Sequence, residues 1–225
     1  MFCASVSRHL PVVSSSERSQ RLLQKLIANG AFGREQGGET VHWVSPIESD
    51  GFAEYRDEDF LKQLKVSTSK LRLNQFWPGK GPQWDALGRT EGGKLILVEA
   101  KAYVEEFDST PTRAVGRSAA LIRQSLEVTR KHMGVKSPVD WSRTFYQVTN
   151  RLAHLYFLSI RNDLPSALWF VYFCNHPDPR LATTQEEWRG AIRLVEAHLG
   201  LRGRKLMNCV RHIFVDSVTL KLINA

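Results

Sequence analysis

A chain of 225 residues with 42% hydrophobic and 24% charged side chains has the composition of a folded globular protein and ample length for a core. Lys and Arg exceed Asp and Glu by 31 to 23, a net charge of +8 that suits a nucleic-acid partner. The longest apolar run, residues 167–174, is far too short to span a bilayer, which argues against a membrane partner.

Residues 1–14 read as a loose arm ahead of a single domain that takes in residues 1–225, with Arg8 and several serines but no apolar signal core. The three cysteines, Cys3, Cys174 and Cys209, are odd in number and form no CxxC, so the expected compartment is reducing and the protein cytoplasmic. Ser14 and Glu17 have the spacing of a capping box, predicting a helix over 15–28 that buries Leu22, Leu23 and Leu26 and stops near Gly30. Residues 31–55 read as loop with a short strand at 41–44, 56–64 as a short helix and 71–82 as a connector. A hairpin over 83–101 follows, then a loop over 104–116 and a helix over 117–133 ended by Gly134. A second helix is expected over 144–160, then a strand over 167–174 and a turn at Pro177 and Pro179. Thr184 and Glu187 open a helix that closes at Gly200, and a last strand spans 212–218.

The hairpin carries the chemistry. Residues 95–98 are Leu-Ile-Leu-Val, the aliphatic pattern of a buried strand, yet this strand ends in Glu99-Ala100-Lys101. Side chains alternate along a strand, so Glu99 and Lys101 share a face with Leu95 and Leu97. Glu91-Gly92-Gly93 is a turn signal that folds residues 83–89 back antiparallel and sets Asp85 opposite Val98 or Glu99. Buried charges are costly unless they are paired or bind a metal. Asp85 and Glu99 can converge on one Mg²⁺, an ion that takes one or two carboxylates and keeps waters for substrate phosphates. Lys101 can then orient the attacking water or stabilise transition-state charge. The plainer alternative is a hairpin with a surface Asp and a solvated Glu–Lys pair.

The hairpin resembles the core of the PD-(D/E)XK nuclease superfamily, the restriction-endonuclease-like proteins, over about twenty residues. Asp85 matches the acid of that family's first strand, with Trp84 in place of the usual proline, and Glu99-Ala100-Lys101 matches its second motif. The resemblance implies a three-layer α/β/α fold with a mixed central sheet, catalysis by Asp85, Glu99 and Lys101, and Mg²⁺ (for which Mn²⁺ can substitute) on Asp85 and Glu99. It implies a nucleic-acid substrate, DNA favoured over RNA. A further acid from an early segment often completes such sites. Glu17 is first by chain order, with Glu48, Glu54 and Glu58 as alternatives. Gln147 resembles a glutamine that RecB-like members carry on a helix after the second motif, although the tyrosine spacing does not match.

Arg117 and Arg123, with Arg113, Arg130 and Lys131 nearby, are candidates for phosphate contacts, or simply a solvated helix face. Gln147, Asn150 or Arg151, and His154 recur at helical spacing and form one polar stripe opposite Val148, Leu152, Leu155 and Tyr156. No zinc-type His or Cys spacing, Walker loop, Rossmann fingerprint or GxSxG elbow occurs. The expected function is metal-dependent phosphodiester hydrolysis, the alternative a nucleic-acid-binding or assembly module that keeps the fold without cleavage.

Overall fold

In the computed structural model, residues 15–28, 30, 32–34, 38–178 and 182–218 are described, with the side chains of residues 15–19 outside that description. The expected arm at 1–14, the Ser14–Glu17 capping box and the turn at Pro179 therefore lie outside the described residues.

The hairpin forms because its middle is a turn and its arms are apolar. Strand β2 (Ala86–Thr90) runs antiparallel to β3 (Leu95–Lys101), with Ala86 opposite Val98 and Arg89 opposite Leu95. The Thr90 N–H donates to the Lys94 carbonyl at 2.9 Å, and Gly93 closes the turn at φ +86°, a conformation that favours glycine. The first arm is shorter than the sequence predicts. Pro82 has no N–H to give a ladder, and the Trp84 N–H donates instead to Tyr55 at 3.1 Å, so regular pairing begins only at Ala86.

Strand β1 (Val41–Ser45) adds antiparallel to β2. Strands β4 (Ser166–Cys174) and β5 (Val210–Asp216) add parallel beyond β3, completing a five-stranded mixed sheet in the order β1-β2-β3-β4-β5. Parallel neighbours need long crossovers, and the helices supply them. Helices α4 (Gly116–Met133) and α5 (Tyr146–Tyr156) lie between β3 and β4, and α6 (Gln185–Leu199) lies between β4 and β5. Both β3 and β4 are buried along their whole length, which explains their unbroken apolar runs.

The core divides at the sheet. Leu23 and Leu26 of α1 (Ser15–Ala28) cluster with Ile96, Val98, Ala100, Trp169 and Val171. Leu95, Leu97 and Phe170, from the alternate positions, cluster with Ile122 of α4, Leu152 of α5 and Trp188 of α6. Full burial of each such side chain contributes about 1.5–3 kcal/mol.

Most predicted boundaries differ from the observed ones by one or two residues. Within the expected connector sits a single helical turn, α3 (Leu73–Phe76), after the short α2 (Asp57–Gln63). Helix α5 continues into a π-turn, Phe157–Arg161, and the last strand starts earlier, at Val210. Thr184 caps α6 by accepting from the Glu187 N–H, and Gly200 closes it in the left-handed region. Among the described residues no helix is long and apolar enough to cross a membrane.

Candidate functional site

Strand parity and hairpin register bring Asp85, Glu99 and Lys101 together at one end of the sheet. The Asp85 N–H donates to Val98 at 3.2 Å, and its carboxylate accepts from the Ala100 N–H at 2.6 Å. That second bond replaces a ladder bond and pins the carboxylate beside Glu99. Asp85 is half-buried, whereas Glu99 and Lys101 are 3% and 1% exposed.

Lys101 spends its three donors inside the protein: on Gln147 Oε1 at 2.7 Å, on the Glu106 carbonyl at 3.2 Å and on Glu99 Oε1 at 3.4 Å. The other Glu99 oxygen belongs to Arg151, whose Nε and Nη2 lie 2.8 and 2.6 Å from it. Arg151 also donates to Asn150 Oδ1 and to the Gln83 carbonyl, both at 2.9 Å, and its guanidinium lies 5.0 Å from the Trp84 ring centre. Glu99 is thus a buried anion held between two buried cations. Removing Glu99 would leave both cations buried without a counter-ion, which costs several kcal/mol.

Two further carboxyls face this cluster. Glu54 accepts from Gln83 Nε2 at 2.7 Å and from Gln20, and its charge bears on Asp85. Glu106 accepts from the Ala102 N–H at 2.8 Å, at the end of β3. Desolvation, with the charges of Glu99 and Glu54 beside it, pushes the Asp85 carboxyl well above the usual carboxylate range. Desolvation likewise raises Glu54, and lifts Glu106 to about 7 against the opposing pull of Lys101. Among the described residues no group of three or more His, Cys, Asp or Glu side chains is arranged to hold a metal ion.

The cluster opens into a cleft of about 1190 Å³. Its floor includes Asp85, Glu99, Gln147 and Arg151, and its walls are the Pro78–Pro82 loop and the segment from Asp108 to Val115. The Pro78–Pro82 loop is held by Asp57, whose carboxylate accepts from the Lys80 and Gly81 N–H groups at 3.0 and 2.8 Å.

The other candidates divide. Gln147 stands in the site as the partner of Lys101. Arg117 and Arg123 are exposed on α4 outside the residues that line the cleft, where Arg113 stands instead. Glu17 belongs to α1, but its side chain lies outside the described residues. Of its alternatives, Glu54 lines the cleft and Glu48 and Glu58 do not. His154, part of the polar stripe, is buried against Trp77, and desolvation lowers its pKa to about 3, so it is a neutral packing group. Sequence reasoning put Arg151 on that stripe without its partner. The i, i+4 step from Gln147 is the signal that sets both on one side of α5. Glu106 follows Lys101 by five residues through an irregular turn, and no periodicity announces it.

Comparison with protein families, with curated proteins and with solved structures finds no match to this chain.

Proposed function

We propose that the protein is a Mg²⁺-dependent nuclease with a restriction-endonuclease-like three-layer core, acting on nucleic acid and on DNA in preference to RNA. The observation that carries this reading is the meeting of Asp85 and Glu99 on the floor of the cleft, with Lys101 buried behind them and in contact with Glu99. Clustering of helix residues against both faces of the sheet agrees with the three-layer core.

The acid-rich floor of the cleft suits a divalent cation once Glu99 is released from the cations that engage its oxygens. Asp85 stands just before β2 and Glu99 on β3, and desolvation, with repulsion from Glu99 and then Glu54, keeps the Asp85 pKa high, a strain that bound positive charge relieves. Asp85 and Glu99 would hold the ion, with Glu54 the candidate third acid. When bound, it supplies polarisation of a phosphodiester oxygen and a more acidic water. Lys101 does the rest from a fixed position. Gln147 and the Glu106 carbonyl aim its ammonium, and the 3.4 Å contact to Glu99 is the loosest of its three. That donor would have to leave Glu99 to reach the attacking water or the charge developing on phosphorus.

The test is incubation of purified protein with plasmid, single-stranded DNA and RNA in Mg²⁺ or Mn²⁺. We expect cleavage that chelator abolishes, and that Asp85→Ala and Lys101→Ala each reduce by roughly 10²-fold or more, the scale of losing a transition-state contact. Both variants should keep the wild-type circular dichroism spectrum. Wild-type protein that cuts none of these substrates, or variants that cut as well as it does, would end the reading.

One observation favours a second reading. Both Glu99 oxygens are engaged by protein cations, as in a fold that has kept its charges for structure and binds nucleic acid without cutting it. Binding that persists in chelator with no cleavage would select that alternative.

A further inference from the structure

Arg151 is the best-fixed cation in the site. It is 5% exposed, and each of its three nitrogens has a partner: Nε on Glu99, Nη1 on Asn150, Nη2 on Glu99 and the Gln83 carbonyl. Those partners lie on β3, on α5 and on the stretch leading into Asp85. One guanidinium therefore ties together the two chain segments that carry Asp85 and Glu99. A planar fork with fixed donor directions suits this, and an ammonium does not.

The same contact poses a conflict. Glu99 Oε2 carries two Arg151 donors at 2.8 and 2.6 Å, and Oε1 faces Lys101 at 3.4 Å. An oxygen that accepts two short charged hydrogen bonds has little lone-pair density to give a cation. Resting on the reading of Asp85 and Glu99 as metal ligands, we propose that Arg151 is a built-in counter-ion that occupies Glu99 in the metal-free protein and must release it for metal to bind. Arg151 is then a positioning residue with two effects. It keeps the acid cluster ordered and nearly neutral before metal arrives, and it competes with metal for Glu99. The observed affinity is the intrinsic affinity reduced by the fraction of molecules in which Glu99 is free. Asn150 and the Gln83 carbonyl still accept from the guanidinium after Glu99 leaves, so its Nη groups keep hydrogen-bond partners, and the lost counter-ion is the cost that sets the competition.

Two measurements test this without reference to cleavage. The first is Mg²⁺ and Mn²⁺ titration by calorimetry of wild type, Arg151→Gln and Arg151→Lys, each checked for folding by thermal melt in chelator. Glutamine removes the competitor, and we expect metal affinity to rise about tenfold, with a lower melting temperature in chelator. Lysine keeps the charge but loses the fork, and a smaller rise is expected; it carries the test if the glutamine variant does not fold. The second is the Arg151 Nε–H resonance in ¹⁵N-edited spectra, assigned by its loss in Arg151→Lys. It should be protected and downfield in chelator, and should shift or lose protection on Mg²⁺ saturation. Unchanged or weaker metal affinity in the folded variants, or an Nε–H signal indifferent to bound Mg²⁺, overturns this inference and leaves the nuclease reading standing. No metal binding by any of the three proteins sinks both.

Discussion

Asp85 and Glu106 show how the charge cluster works against the fold that holds it. Each carboxyl has its pKa raised by desolvation, so each gives up its proton at lower pH when the chain unfolds. For Glu106 the window runs from 4.5, its ordinary value, to about 7. Inside it the native state holds the extra proton, so stability falls as pH rises, and the loss is complete above the folded pKa. A glutamine at this position keeps an acceptor for the Ala102 N–H and cannot ionise. Glu106→Gln should therefore melt about 2–4 °C above wild type at pH 8, the shift of roughly 1 kcal/mol in a chain this long, and at the wild-type temperature at pH 4. Melts in chelator across that range decide it; a constant difference at all pH values would mean packing, not ionisation. Asp85→Asn should likewise gain on wild type in melting temperature as pH rises, since its amide oxygen still accepts from Ala100 while the repulsion with Glu99 and Glu54 is gone. On the nuclease reading that same variant loses cleavage, the trade of stability against function expected where like charges are crowded.

In the hairpin, Gly88 has no room for a side chain. Gly88 in β2 faces β1, and a Cβ built there lies 2.7 Å from Val41 Cγ1 and 3.0 Å from the Trp43 ring. Glycine lets β1 lie flat across β2, and Gly88→Ala should cost about 1–3 kcal/mol by overpacking, read as a lower denaturation midpoint at unchanged slope. An unaltered midpoint would mean that β1 moves aside freely. The hairpin was also the most legible part of the sequence. Leu95 to Val98 announced a strand, Gly92 and Gly93 its turn, and parity then fixed which residues share a face with Glu99. Thr184, Glu187 and Gly200 marked both ends of α6 in the same local way. Illegible were the contacts made across long separations: Arg151 on Glu99, Glu54 beside Asp85, Tyr55 pairing with Trp84. Such contacts depend on how α5 and the loop before α2 pack on the sheet, and no spacing within either segment encodes that.

For the molecule as a whole, the question is where an excess of 31 basic over 23 acidic residues meets a polyanion. The acids converge on the cleft floor, so basic groups at its rim must offset their repulsion of phosphate. Lys80 and Arg113 stand on the two walls of the cleft, whereas Arg117 and Arg123 lie on exposed α4 surface outside it. If nucleic acid enters the cleft, as proposed, Arg113 meets a backbone phosphate and Arg123 does not. Each phosphate contact contributes about 0.7–0.9 to the slope of log affinity against log salt. Binding measured by anisotropy in chelator, over roughly 50–200 mM salt, should therefore show Arg113→Ala with weaker affinity and a slope smaller by about that amount. Arg123→Ala should keep the wild-type slope. The reverse result, a loss confined to Arg123, would put the polyanion on the outer face of α4 and remove the acid cluster from any contact with it.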